Sequence, residues 1–381
     1  MIATVRCEMC AERNRTVGVA VLGAAGTIAP AIVRDLAESD EVDRMLLLDL
    51  DGERAAAVAS EHGGGKAEAQ AIDARAEGEL ASRLGDLDVL VNTASYRINL
   101  EAMRACLSAN SHYLDLGGLY WMTGRQLELS SRFQDAGLLA VLGIGSSPGK
   151  TNLMARRALQ ELGDEAGEID SIEVAAAGRD PRATDDGRLR PPYSIQTLLD
   201  ELTLAPIVLR DGRPTEIQPL QPGGAIDFGD PIGTAETIYT LHSELATFGE
   251  SFHCATASFR LSLAAPLLAK LKELVGSPQE NIAEAARQAE PASNETASVH
   301  LVTVTAASGT KVVVRALTEP HFGLGGSIVS TATPAAAAVR LLARGLLTAT
   351  GALPPERCIG PDEMFAELEA RGCSFTVTRE G

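Results

Sequence analysis

Three observations predict an α/β protein, a doubly wound parallel sheet joined to a second α+β domain with a mostly antiparallel sheet. First, the apolar run Val17–Leu22 leads directly into Gly23-Ala24-Ala25-Gly26-Thr27-Ile28-Ala29, a glycine turn that opens an apolar helical segment over 28–36. Second, short apolar runs alternate with helical segments up to about residue 150, the pattern of repeated βα units. Third, from about Ser171 strand-like runs follow one another through Pro and Gly turns with fewer helices, which suits an antiparallel sheet.

The first strand, the turn and the helix start together form a dinucleotide-binding signature. Gly23 allows the tight turn, and Gly26 with its neighbours Ala25, Thr27 and Ile28 lets backbone N–H groups approach a pyrophosphate. Ala29 lets the helix pack on the strand. Pro30 falls in the first helical turn, where proline is tolerated. The helix N-terminus adds partial positive charge.

A second apolar run, 45–48, ends in Asp49, 26 residues after Gly23 and somewhat beyond the usual distance of about 20. An acidic side chain at that strand tip accepts hydrogen bonds from ribose hydroxyls and repels a 2′-phosphate. NAD is therefore expected as cofactor ahead of NADP. Further strands are expected at 71–73, 89–92, 112–115 and 138–142, with helices over 100–109 and 123–136. Ligands bind at the carboxyl ends of such strands, which places Gly23, Asp49, Asp73, Asn92 and Asp115 along one edge. Asp73 and Asn92 are accordingly cofactor-binding candidates.

In the second domain, strands are expected at 171–176, 207–210, 258–262, 299–306 and 311–316. Helices are expected over 333–347 and 361–370. The expected division is an extension over 1–16, a dinucleotide-binding domain over 17–150 and a substrate and dimerisation domain over 151–330. C-terminal helices over 331–381 return to the first domain.

Composition bounds the function. The chain has 381 residues, 45% hydrophobic and 4% aromatic, enough apolar material for a full core. A net charge of −18 disfavours nucleic acid and anionic membrane as partners. No apolar run approaches the roughly 18 residues of a membrane span, and residues 1–16 lack the apolar core of a signal peptide. The six cysteines are spread without a disulfide framework, so a reducing cytoplasmic location is expected. Cys7 and Cys10 form a CxxC, but no second ligand pair has matching spacing, and no metal is expected.

With these residues in view, the chain resembles the saccharopine dehydrogenase-like NAD(P) oxidoreductases, particularly the lysine 6-dehydrogenase branch. The resemblance rests on 23–29, Val91-Asn92-Thr93-Ala94, the 113–118 segment ending Asp115-Leu116-Gly117-Gly118, and Gly145-Ser146-Ser147-Pro148-Gly149-Lys150-Thr151-Asn152. It continues through 193–200, His242-Ser243-Glu244, 351–356 and 365–372. It implies a Rossmann domain, a second domain that completes the site, and redox chemistry at a C–N bond of an amino acid or secondary amine. A homodimer is expected. The chain departs from the family's patterns at Ser147 and Lys150.

Six residues are singled out as catalytic or substrate-binding besides the turn. Asp115 can orient or deprotonate a substrate amine, or cap the turn after it. Lys150, at a helix start beside the cleft, can pair with a substrate carboxylate or act catalytically. Tyr96, after the fourth strand, and Tyr193, within a family motif, are substrate-binding candidates. His242 with Glu244 offers an acid/base pair, because His titrates near neutral pH. Two other classes stay open. One is a nucleotide sensor without catalysis. The other is a P-loop-like phosphotransferase around Lys150, although the glycine spacing misses that motif by one residue.

Overall fold

The computed structural model describes residues 16–381 apart from 184, 185 and 187; Cys7 and Cys10 lie outside the described residues. The first sheet holds β1 (Val17–Leu22), β2 (Val42–Asp49), β3 (Ala67–Ala71), β4 (Val89–Asn92), β5 (His112–Asp115) and β6 (Leu139–Val141). The second holds β7 (Ile169–Arg179), β8 (Ile207–Arg210), β9 (Arg213–Glu216), β10 (Pro222–Asp227), β11 (Thr234–Tyr239), β12 (Cys254–Ser262), β13 (Ala297–Ala306) and β14 (Lys311–Thr318). The last strands, β15 (Gly351–Leu353) and β16 (Cys373–Glu380), join one sheet each.

The first sheet runs β15-β6-β5-β4-β1-β2-β3 and all its pairings are parallel. Its central strand β1 is buried along its whole length, as a strand covered on both faces by helices must be. The second sheet runs β10-β11-β12-β7-β13-β14-β16, with β8 and β9 attached beside β12. Its pairings are antiparallel except β12 with β7.

The third strand ends at Ala71, and the helix expected over 123–136 is two helices, Leu119–Leu127 and Ser130–Asp135. The C-terminal segment is not helices alone: β15 extends the first sheet and β16 the second, so the chain's end ties both sheets together.

The helix Gly326–Ala343 corrects one expectation. It is 18 residues long and apolar enough to cross a membrane by length and composition, yet 83% of it is buried inside the protein. It is a core helix rich in alanine, and it packs on the first domain's helix Ala29–Ala37. Polar pairing reinforces that contact. Arg340, 1% exposed, donates to Asp35 at 2.9 Å and to Glu367 at 2.6 Å. Arg371 donates to Asp35 at 2.6 Å, and Arg344 bridges Glu41 and Glu367. Three segments distant in sequence are thereby fixed to one another.

Candidate active site

The glycine turn is built as its residue types require. Gly23 has φ +81°, and a Cβ there would lie 2.5 Å from the Ala94 nitrogen, so only glycine fits. Gly26 donates its N–H to the Gly23 carbonyl at 3.0 Å, closing the turn. Gly26 and Thr27 are exposed while Ala24, Ile28 and Ala29 are buried, which leaves a short open stretch of backbone at the helix start. Asp49 Oδ2 accepts the Ala25 N–H at 2.9 Å, and Oδ1 accepts the Asp51 N–H at 2.9 Å. The half-buried carboxylate is thus fastened beside the turn with capacity to accept further hydrogen bonds, a geometry that fits the ribose and pyrophosphate of a dinucleotide.

Two further cofactor candidates have their side chains engaged within the protein. Asn92 is buried and engaged: its amide donates to Asn99 at 2.9 Å and Tyr113 at 3.1 Å, while its oxygen accepts the Ala94 N–H. Its side chain shapes the loop after β4, beside the glycine turn. Asp73 lies at the exposed edge in a pair with Arg75 at 2.6 Å, a contact that holds its carboxyl below the usual range.

Asp115 is likewise corrected. Oδ1 accepts the Gly117 and Gly143 N–H groups at 2.9 and 2.7 Å. Oδ2 accepts from Asn99 at 3.1 Å and Gln126 at 2.5 Å. All its acceptor directions are used and the residue is 1% exposed, so it anchors two turns and does not reach a substrate amine.

Lys150 is turned inward. Its ammonium is buried and donates to Ser330 at 2.7 Å and Thr318 at 3.1 Å, under the core helix. Burial pushes its pKa down. The helix start beside it is also occupied, because the Lys150 and Thr151 N–H groups donate to the Gly145 and Ser146 carbonyls. With these donors engaged inside the protein, the geometry does not support either the carboxylate contact or the P-loop-like reading.

His242 and Glu244 do come together. His242 is extended and Glu244 lies in the 3-10 turn Ser243–Ala246, so the two side chains meet despite their spacing. His242 Nδ1 is 3.3 Å from Glu244 Oε2, and Nε2 is 3.8 Å from Glu201 Oε1. The imidazole stacks on Phe259 with centroids 3.5 Å apart. Glu244 Oε1 accepts from Thr151 at 2.9 Å and from Ser147, and Glu201 Oε2 accepts the Tyr193 hydroxyl at 2.6 Å. His242 Nδ1 and Glu244 Oε2 meet as an ion pair at 3.3 Å rather than as a well-aligned hydrogen bond, and Nε2 has no hydrogen-bond partner among the described residues. Buried polar atoms normally have one, so this array is a candidate ligand site.

Its electrostatics are consistent. Burial alone would push the His242 pKa down, but Glu244 and then Glu201 outweigh it and hold it above its ordinary value. Glu244 is held below the usual range, because His242 outweighs its burial. Burial raises Glu201, and it raises Tyr193 well above the ordinary tyrosine value. The array lies at the carboxyl edge of the first sheet, since a Cβ on Gly117, just after β5, would contact Pro148 and Ser243. A surface recess of about 450 Å³ at the opposite ends of β4 to β6, lined by Asp86, Asp88 and His112 among others, shares no residue with it.

Tyr96 completes the cleft: its hydroxyl donates to Asp200 at 2.9 Å, and the phenol pKa is pushed up to about 12 by burial and then by that carboxylate. Asp200 and Glu201 were missed as site residues. Their one signal in the sequence is an acidic doublet set among leucines, 198–202, that is buried throughout. Among the described residues, no group of three or more His, Cys, Asp or Glu is placed to hold a metal ion.

Comparison with known proteins agrees with the fold. Residues 19–141 match the family model for the saccharopine dehydrogenase NADP binding domain. Over 235 residues, 60% of this chain, the sequence is 27% identical to a carboxyaminopropylagmatine dehydrogenase from Synechocystis sp., and the match spans 57% of that relative. The fold is shared with two solved structures. Saccharopine dehydrogenase (L-Glu forming) from Saccharomyces cerevisiae has TM-score 0.71 at 16% identity, covering 96% of this chain and 100% of the other. Homospermidine synthase from Legionella pneumophila, solved with NAD, has TM-score 0.74 at 12% identity, covering 96% and 93%.

Proposed function

We propose that this saccharopine dehydrogenase-like chain is an NAD(P)-dependent oxidoreductase that works on the C–N bond of a cationic amine. The observation that carries the reading is the buried His242 between two carboxylates, paired with Glu244 at Nδ1 and without a hydrogen-bond partner for Nε2 among the described residues. An ammonium or secondary amine matches that demand, because it donates to Glu244 and Glu201 and shares a proton with the imidazole. The acidic surface, −18 overall, favours the approach of such a substrate.

When bound at the glycine turn, NAD(P) supplies a hydride acceptor or donor at nicotinamide C4. Gly23, Gly26 and Thr27 would hold its pyrophosphate, and Asp49 would hold the ribose hydroxyls and favour NAD. In the oxidative direction the substrate C–H bond breaks with its electron pair leaving as hydride, and a C=N bond forms. His242 takes the nitrogen's proton at Nε2, the ring atom on the looser, 3.8 Å side. Glu244, on the Nδ1 side, stabilises the imidazolium that results. Reduction of an imine runs the same steps in reverse, with His242 delivering the proton.

The named relatives, a carboxyaminopropylagmatine dehydrogenase and a homospermidine synthase, favour a polyamine-type substrate over a simple amino acid. The test is a panel of diamines, polyamines, carboxyalkyl amines and lysine, read as NAD(P)H formation or consumption at 340 nm. Turnover with a polyamine-type compound is expected. Turnover with lysine alone would overturn the substrate class, and cofactor binding without turnover of any amine would favour a sensor.

A further inference from the structure

The loop after β4 is seated on the glycine turn. Thr93 Oγ1 donates to the Leu22 and Gly23 carbonyls at 2.8 and 3.1 Å, and the Ala94 backbone leaves no room for a Cβ on Gly23. Two residues on, the loop enters the 3-10 turn Tyr96–Ile98. There Tyr96 and Arg97 reach out of the first domain to one atom of the second: both donate to Asp200 Oδ2, at 2.9 and 2.8 Å. Asp200 is 9% exposed, and its other oxygen accepts from Gln196 at 3.2 Å.

Asp200 stands on the helix Ile195–Thr203 immediately before Glu201. Successive helical residues point about 100° apart, so the doublet faces two ways. Asp200 grips the cofactor-domain loop, while Glu201 holds Tyr193 and faces His242. The path from the glycine turn to the imidazole therefore runs through one helix.

We propose that Asp200 is a positioning residue that couples occupancy of the glycine turn to the geometry of the His242 array. The proposal rests on the reading of the turn as the dinucleotide site and of the array as the amine site. Two donors converging on one enclosed oxygen fix the 96–98 turn to the helix. A cofactor that settles the turn settles Glu201 with it.

The test is amide hydrogen exchange of the full chain with and without saturating NADH or NADPH. Bound cofactor should slow exchange over 195–203 at least about fivefold, while 265–274 in the same domain stays unchanged. Asp200→Asn should keep cofactor affinity within about threefold and lose that protection. Arg97→Gln, at a half-exposed side chain, should weaken the protection in the same direction. A purely structural contact would not make exchange in the second domain depend on cofactor. Cofactor binding without protection of 195–203 in the wild-type chain, or protection that survives Asp200→Asn, would overturn the coupling. Failure of both NADH and NADPH to bind would overturn the cofactor reading itself, and the coupling with it.

Discussion

Two clusters of buried charge, one on each side of the molecule's function, differ in a single respect. Around Asp35, Arg340, Glu367 and Arg371 the carboxylates and guanidiniums meet in hydrogen-bonded ion pairs of 2.6–3.1 Å. Around Glu201, His242 and Glu244 the charged groups stand 3.3–3.8 Å apart, and His242 Nε2 has no hydrogen-bond partner among the described residues. Both clusters cost desolvation. The first recovers it within the protein and serves as scaffold, joining the C-terminal helices to the cofactor domain. The second leaves part of it unrecovered, which suits a place where a ligand supplies the missing partners.

Substitutions can break that contrast. The largest effect is expected at His242: replacement by Gln should lower kcat/KM roughly 10²–10⁴-fold, the usual contribution of a positioned acid/base group, with cofactor affinity retained. Steady-state kinetics beside an NADH titration check this, and a loss below about tenfold would count against the imidazole as the proton carrier. Asp35→Ala should instead act on stability. It leaves Arg340 and Arg371 short of an anion in a buried setting, at a cost of about 3–5 kcal/mol, read by denaturant unfolding, with kinetics per folded molecule unchanged. The smallest effect sharpens the rule. Lys150 is buried against the hydroxyls of Ser330 and Thr318, with no carboxylate among those bonds. Lys150→Met, of similar volume, should change stability by less than about 1 kcal/mol or raise it, since the desolvated charge disappears with the side chain. A loss of several kcal/mol would show that hydroxyls alone satisfy a buried ammonium.

These outcomes also mark what the sequence could and could not show. The glycine turn, Asp49 and the parallel sheet were legible because strand, turn and helix lie within a few dozen contiguous residues. His242 and Glu244 were reachable through motif order along the chain. Glu201 was not, because it meets His242 only when the helix Ile195–Thr203 folds against a turn some forty residues away. Asp115 reads the same in sequence whether it caps a turn or meets a substrate. Asn99 and Gln126, which fill its remaining acceptor positions, come from other helices. Lys150 looked exposed because a helix start usually is. The helix Gly326–Ala343, nearly two hundred residues later, encloses it.

The most direct test of the account is the pH dependence of kcat/KM for amine oxidation, in the wild type and in Glu244→Gln. The His242 pKa lies above its ordinary value because Glu244 and Glu201 outweigh burial. A base that must accept a proton works only when neutral, so wild-type activity should be full above that raised pKa and fall as the pH drops through it. Removing the Glu244 charge removes the largest influence holding the pKa up, so the acidic limb of the profile should move to lower pH in Glu244→Gln. An acidic limb that stays in place or moves to higher pH would contradict the assignment of His242 and Glu244 as the proton-handling pair.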